Sequence, residues 1–464
     1  MRFCILMLCT FMTNWASADK PNIIYIMCDD LGYGDLGCYG QKIIQTPNLD
    51  RMASQGMRFT DHYSGHTVCR PSRLVLWTGT HVGHTGLIGN RDRSLTGMEK
   101  TVARQLKLAG YATGGVGKWA LGNVEEPSEI NNVGHPNKNG FDYWFGYLNQ
   151  GRAHNFYPTY LWENDTKVVL PGNVIHDDPK GRGRVSSERV TYSHDVMTER
   201  AFDFVEKHSS EPFLLHIHWT IPHANNEGGR VYKDGMEVPD YGPYASMDWP
   251  NPEKGFAAMI TRMDADVGRL FGLLKELKLD QKTLVLFTSD NCPHNEGNHS
   301  HEYFDSNGPL KGFKRSMHEG GIRVPMIARW PMKISAGSLS DHPSAFWDFL
   351  PTACEIAGVD APETDGISYL PTLLGESERQ KKHEYLYWAS QEGATSIGVR
   401  RGNWKLVKYR GKKSKTEKTT KGEWRLYDLK SDIGEQNDVS AKHPDVVTEI
   451  RKLVQKDELV GMQQ

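Results

Sequence analysis

The chain has 464 residues and no long hydrophobic run. Its most apolar early stretch, residues 3–12, falls short of the roughly 20 residues that a bilayer-spanning helix needs. Nothing later comes closer, so no membrane span is expected. Net charge is also lacking: 55 Lys and Arg against 57 Asp and Glu leave −2 at pH 7. Without a global basic field the chain is not expected to bind nucleic acid or an anionic membrane, and any anion must be recognised locally. Cysteine is sparse, at seven, and no CxxC pair suggests a zinc site. Internal repeats and low-complexity tracts are absent too.

What is present begins with an export signal. Arg2 supplies a positive start, residues 3–12 an apolar stretch, and Ala16-Ser17-Ala18 a small-x-small cleavage pattern. Residues 1–18 therefore read as a signal peptide, and the mature chain as periplasmic or extracellular. Cys4 and Cys9 leave with it. Cys28, Cys38, Cys69, Cys292 and Cys354 remain, and an odd number in an exported protein leaves at least one thiol unpaired or modified.

Hydrophobic periodicity predicts alternating strands and helices. Residues 22–27 form a β-branched, apolar run that ends in Cys28-Asp29-Asp30, and residues 283–288 a second that ends in Ser289-Asp290-Asn291. Further strands are expected at 111–116 and 213–218. Helices are expected at 47–54, 70–77, 101–109, 194–207 and 256–277. The order argues an α/β fold, a large mainly parallel mixed sheet sandwiched by helices, over residues 19–358. After Gly358 short strand-like runs follow at 384–388, 396–400, 404–407 and 424–427, with a basic loop at 412–421 and a helix at 444–454. Residues 359–464 thus read as a smaller C-terminal α+β domain with an antiparallel sheet. Ligand sites in such sheets gather at the carboxyl ends of parallel strands, where both acidic pairs fall.

The most specific motif is Cys69-Arg70-Pro71-Ser72-Arg73 with Thr78-Gly79 after it. In this motif, and in those around Lys118, His223 and Lys314, the chain resembles the type I sulfatase family of the alkaline phosphatase superfamily, over about residues 22–438. That resemblance implies that a separate maturation system oxidises Cys69 to Cα-formylglycine. A hydrated aldehyde offers two hydroxyls on one carbon: one attacks sulfur, and the other lets the enzyme expel sulfate by reforming the aldehyde. The resemblance further implies Ca2+ held by Asp29, Asp30, Asp290 and Asn291, with the residue-69 oxygen completing the site. Carboxylate and amide oxygens suit calcium better than zinc.

The same resemblance gives Arg73 the task of holding the nucleophile and the metal ligands, one helical turn beyond Cys69. Lys118 in Gly117-Lys118-Trp119 and Lys314 before Glu319-Gly320-Gly321 match its sulfate-binding lysines. His223 in Pro222-His223 matches its leaving-group histidine. One position departs. Many sulfatases carry a histidine two residues after the first lysine, where it assists sulfate release. This chain has Ala120 there, which cannot transfer a proton. His66, three residues before Cys69, is expected to substitute in part.

Aromatic and histidine residues cluster at 141–162 and 292–304, and His154, Asn155, His294 and His301 are candidate substrate contacts. The run Ala153-His154-Asn155-Phe156-Tyr157-Pro158 resembles that of bacterial carbohydrate sulfatases. The expected function is exo-acting hydrolysis of a sulfated saccharide. Two alternatives stand beside it: a phosphate or phosphonate ester hydrolase of the same superfamily, and a non-catalytic binder of sulfated glycans.

Overall fold

The computed structural model describes residues 20–90, 94–122, 133–176, 183–410 and 422–462. The expected signal peptide and the basic loop at 412–421 lie outside them.

Ten strands make the main sheet: β1 (Asn22–Cys28), β2 (Met57–Phe59), β3 (Ala112–Lys118), β4 (Tyr143–Tyr147), β5 (Tyr160–Glu163), β6 (Thr166–Val169), β7 (Phe213–His218), β8 (Thr283–Ser289), β9 (Met326–Arg329) and β10 (Ser338–Ser340). Their spatial order is β10-β2-β9-β8-β1-β7-β3-β4-β5-β6. The five central strands, β8 to β4 in that order, run parallel, and antiparallel strands flank them. Central strands buried on both faces must be apolar throughout, which is why β1 reads Ile23-Ile24-Tyr25-Ile26-Met27 without alternation.

The period of two then divides those residues between two cores. Ile23, Tyr25 and Met27 face one, with helices α2 (Cys69–Thr78), α3 (Val102–Leu108) and α6 (Phe349–Ala357). Ile24, Ile26 and Cys28 face the other, with α1 (Pro47–Ser54), α4 (Ser193–Lys207) and α5 (Asn251–Glu276).

Four antiparallel strands, β11 (Leu386–Ala389), β12 (Thr395–Arg401), β13 (Trp404–Tyr409) and β14 (Trp424–Asp428), form the second sheet, and α7 (Pro444–Met462) follows it. This sheet does not build a core of its own. Leu386, Trp388, Val399, Leu406 and Leu426 join the first core, beside Trp77 and Trp347. Buried bonds seal the junction: Trp388 Nε1 donates to Ser64 O at 2.9 Å, and Lys405 Nζ to Glu319 Oε1 at 2.9 Å. Among the described residues no helix is long and apolar enough to cross a membrane.

Candidate functional site

β1 and β8 pair in parallel with Cys28 opposite Ser289. The residues that follow, Asp29-Asp30 and Asp290-Asn291, therefore leave the sheet side by side. Asp290 N donates to Cys28 O at 2.9 Å, and Leu31 N to Ser289 Oγ at 2.9 Å, which fixes both turns. Asp30 has φ +68°, a left-handed conformation that aspartate tolerates better than most residues. All four side chains are buried.

Helix α2 delivers Cys69 to this point. Val68 is extended, Cys69 opens the helix, and Pro71 sits in the first turn, where a missing N–H costs nothing. Gly79 ends the helix at φ +65°. Cys69 Sγ lies 3.1 Å from Asp29 Oδ1 and 3.9 Å from Asp30 Oδ1, and Asn291 Nδ2 approaches it at 3.5 Å. Burial, then the charges of Asp29 and Asp290, push the thiol well above its ordinary range. An unmodified Cys69 is thus a protonated thiol and a poor nucleophile.

Arg73, one turn on, braces the carboxylates. Its Nη2 donates to Asp290 Oδ2 at 2.8 Å and Asp29 Oδ2 at 3.3 Å, and its Nη1 to Lys118 O at 2.6 Å. Lys118 ends β3 immediately after Gly117, whose φ is +104° and whose absent Cβ would stand 1.9 Å from His218 O. Only glycine lets the strand approach β7 so closely. Lys118 Nζ then reaches Asp29 Oδ2 at 2.6 Å. Lys314 Nζ reaches Asp30 Oδ2 at 2.6 Å, Glu296 Oε2 at 3.0 Å and His223 Nε2 at 3.3 Å. His223 Nδ1 bonds Ala224 O at 2.7 Å, so Nε2 is the nitrogen turned to Lys314. Burial opposes ionisation of Asp29, but Lys118, His223 and Arg73 outweigh it and hold that carboxyl well below the usual range.

The same groups fit a hard cation. Asp29, Asp30 and Asp290 crowd three carboxylates together, and burial followed by the charge of Asp29 pushes Asp290 up to about 7. Asn291 Oδ1 is buried and accepts no hydrogen bond among the described residues. A buried amide oxygen among carboxylates has the chemistry of a ligand for an oxygen-loving ion. Asp29, Asp30, Cys69 and His223 also bring ligand atoms within 4.8 Å of one another.

Residues 21–359 match the family model described as Sulfatase, and residues 301–461 match that of N-sulphoglucosamine sulphohydrolase, C-terminal. The chain belongs to the sulfatase family. This sulfatase is 31% identical to human steryl-sulfatase over 80% of its own length and 72% of the relative's. It is 29% identical to the N-acetylgalactosamine-6-O-sulfatase of Bacteroides thetaiotaomicron, over 95% and 94%. The crystal structure of Ps i-CgsB in complex with k-i-k-neocarrahexaose superposes with a TM-score of 0.78 at 28% identity, covering 96% of this chain and 94% of that one. It is therefore an enzyme that hydrolyses sulfate esters.

Several positions expected to act at this centre have their polar atoms committed to other partners. His66 does not face Cys69. Its Nε2 bonds Ala389 O at 3.0 Å, its Nδ1 accepts from Val68 N at 3.2 Å, and burial lowers its pKa to about 3. Both nitrogens are committed to backbone groups, Nε2 to the second sheet and Nδ1 to its own segment, so neither is left to carry a proton for sulfate release. Ala120 is buried at φ +69° and offers no polar side-chain atom in its place.

Asn155 is not a substrate contact either: its Nδ2 donates to Gly183 O and Ser186 Oγ, its Oδ1 accepts from Tyr157 N, and it is fully buried. His294 stays at the centre, one ring nitrogen within 4.8 Å of the Asp30 and Glu296 carboxylates, but its nitrogens bond Pro222 O and accept from Glu296 N, and burial lowers its pKa to about 3. His301 bonds Asn295 and packs at a tilt against Phe313. His154, half-buried, stacks on His223 with ring centroids 4.7 Å apart. Glu227, Glu296, Arg184 and Arg315 were not legible in the sequence, yet they line the same mouth. The signals were the adjacency of Arg315 to Lys314 and the place of Glu296 within the cluster at 292–304.

Proposed function

We propose that this sulfatase removes sulfate from a carbohydrate in an exo-acting reaction, with Cys69 matured to formylglycine and Ca2+ in the acidic site. One observation carries the reading. Cys69, Arg73, Lys118, His223 and Lys314, with Asp29, Asp30, Asp290 and Asn291, join from separate segments in one buried bond network. The similarities favour a sugar substrate over a steroid. The N-acetylgalactosamine-6-O-sulfatase aligns across 94% of its length, whereas steryl-sulfatase aligns across 72%.

Ca2+ would be held by Asp29, Asp30, Asp290 and Asn291, where it would supply positive charge against the ester oxygens. Formylglycine at position 69 would supply a geminal diol, one hydroxyl as nucleophile and the other for expelling sulfate. The chain's own residues do the rest. Arg73 fixes Asp29 and Asp290 and keeps the first turn of α2 against them. Lys118 and Lys314 place two ammonium groups where sulfate oxygens arrive, and these act strongly because the site excludes water. His223, anchored through Nδ1, presents Nε2 towards the departing oxygen. Export through residues 1–18 and action of a formylglycine-generating system belong to the same reading.

The test pairs peptide mass analysis of residue 69, after native expression, with hydrolysis of defined sulfated saccharides. We expect an aldehyde at position 69 and release of inorganic sulfate. An unmodified thiol in natively matured protein, without hydrolysis, would overturn the reading. Faster turnover of nitrophenyl phosphate than of any sulfate ester would move it to the phosphate alternative.

A further inference from the structure

Two halves of a polar ring close around His223, and one half takes no part in holding sulfate or metal. His154 covers one face of the His223 ring, the planes inclined by 26°. Its Nδ1 bonds Glu227 Oε2 at 3.1 Å, and Arg184 Nη1 donates to Glu227 Oε1 at 3.0 Å. Across the ring, Glu296 receives Lys314 at 3.0 Å and Arg315 at 2.7 Å. Asn226, beside Glu227 on the helix Asn226–Tyr232, donates to Glu296 Oε2 at 3.0 Å and joins the halves.

Exposure rises from floor to mouth. The side chains of Asp30, Lys314 and His223 are 0%, 2% and 3% exposed. Those of Glu227, Arg184 and Arg315 are 23%, 24% and 39% exposed. The floor suits the sulfate group, so the mouth meets whatever carries it.

The chemistry of the mouth narrows that carrier. Burial disfavours the Glu227 carboxylate, but the hydrogen bonds and charges of His154 and Arg184 prevail and bring its pKa to about 2. Glu227 is paired with Arg184 beside His154, and Glu296 with Arg315 beside Lys314, which Asp30 also holds. An ionised carboxylate still has lone pairs to accept from a hydroxyl, and a guanidinium has further N–H groups to donate to the next. Side-by-side acceptor and donor complement a vicinal diol. Because these charges balance among the described residues, a second anionic substituent gains little from them and meets two carboxylates.

We propose that Glu227, Arg184 and His154, with Glu296 and Arg315 opposite, grip neutral neighbouring hydroxyls of the sugar ring that bears the sulfate, and select monosulfated over disulfated residues. The proposal rests on the carbohydrate sulfatase reading above.

Two measurements test it. On matured enzyme, kcat and KM are compared for N-acetylgalactosamine 6-sulfate, its 4,6-disulfate and nitrophenyl sulfate, in wild type, Glu227→Gln and Arg315→Ala. We expect each substitution to raise KM for the monosulfated sugar about tenfold and to lower its kcat/KM relative to nitrophenyl sulfate by a similar factor. We also expect wild type to prefer the monosulfated sugar. A ratio that stays within twofold in both variants, or a preference for the disulfate, would overturn the proposal. The second measurement is calorimetric binding of the monosulfated sugar to unmatured protein with Ca2+, which needs no turnover. Binding about tenfold weaker in Glu227→Gln supports the subsite even if hydrolysis fails. Wild-type protein that binds no monosulfated sugar overturns it.

Discussion

Lys118 Nζ lies 2.6 Å from Asp29 Oδ2, and each side chain is 1% exposed. A buried pair of this kind is costly to break from one side, because the remaining charge is left without its partner. Arg73 still touches Asp29 at 3.3 Å, so the loss is partial. We expect Lys118→Ala to lower unfolding free energy by about 3 kcal/mol in urea titrations. We also expect kcat/KM to fall at least about 100-fold, as it does when one preorganised charge-stabilising group is lost. Unfolding within about 1 kcal/mol of wild type would show that Asp29 does not depend on Lys118.

His66→Ala tests the sheet junction rather than catalysis. The substitution removes the partner of Ala389 O and of Val68 N in a buried place. Leaving buried polar groups unpaired costs about 1–3 kcal/mol. Thermal unfolding should drop accordingly, while kcat and its pH profile on a sulfate ester stay near wild type. A change in the pH profile without a change in stability would restore His66 to the proton chemistry.

That Asp29, Asp30, Asp290, Asn291 and Cys69 meet was legible because each lies in a short local motif at a predictable place. Asp29-Asp30 and Asp290-Asn291 end buried apolar runs, and parallel strands carry their ends to one edge of the sheet. Cys69 and Arg73 share a helix face by spacing alone. His66 misled because closeness in sequence says nothing about direction: it lies in the extended segment before α2, and its ring turns to β11. The second sheet was visible as short strands, but its fusion into the first core was not, since Trp388 and Leu406 look alike whether they pack inward or on a neighbour. Apart from His154, the mouth was illegible for a related reason. His154, Arg184, Glu227 and Glu296 come from separate segments with no shared motif, and only tertiary structure makes them neighbours.

His84 gives a pH-dependent stability outside the site. Its Nδ1 lies 2.8 Å from Asp365 Oδ1 and its Nε2 3.4 Å from Asp457 Oδ1, which ties α7 to the segment after α2. Hydrogen bonds to Asp365 and then Asp457 raise its pKa from 6.5 to about 10. A raised histidine stabilises the fold fully below the unfolded value and loses that contribution as pH climbs through the folded one. The stability gap between wild type and His84→Gln should therefore be widest near pH 6 and close by about pH 10. Asp365 and Asp457 are both held below their usual 3.8, so the gap should also narrow in acid as they protonate. Melting temperatures across that range decide it, and a gap independent of pH would show that His84 acts by packing alone.

The proposed Ca2+ site is tested at Asn291. Its Nδ2 is already committed to Asp290 Oδ1 at 2.6 Å, so Oδ1 is the atom left to bind an ion. An ion that binds only the folded state stabilises it by RT ln(1 + [L]/Kd), about 2.7 kcal/mol at one hundred times Kd. Added Ca2+ should raise the melting temperature of chelator-treated protein, and the midpoint of that rise reports Kd. Mg2+ demands a tighter octahedron and sheds water reluctantly, so it should give a smaller shift at equal concentration. Asn291→Ala removes one oxygen ligand and should move the Ca2+ midpoint upward about tenfold, while the ion-free protein changes little because Asp290 keeps Arg73. If the Ca2+ midpoint does not move, Asn291 is outside the coordination sphere, and the orphaned oxygen needs another partner.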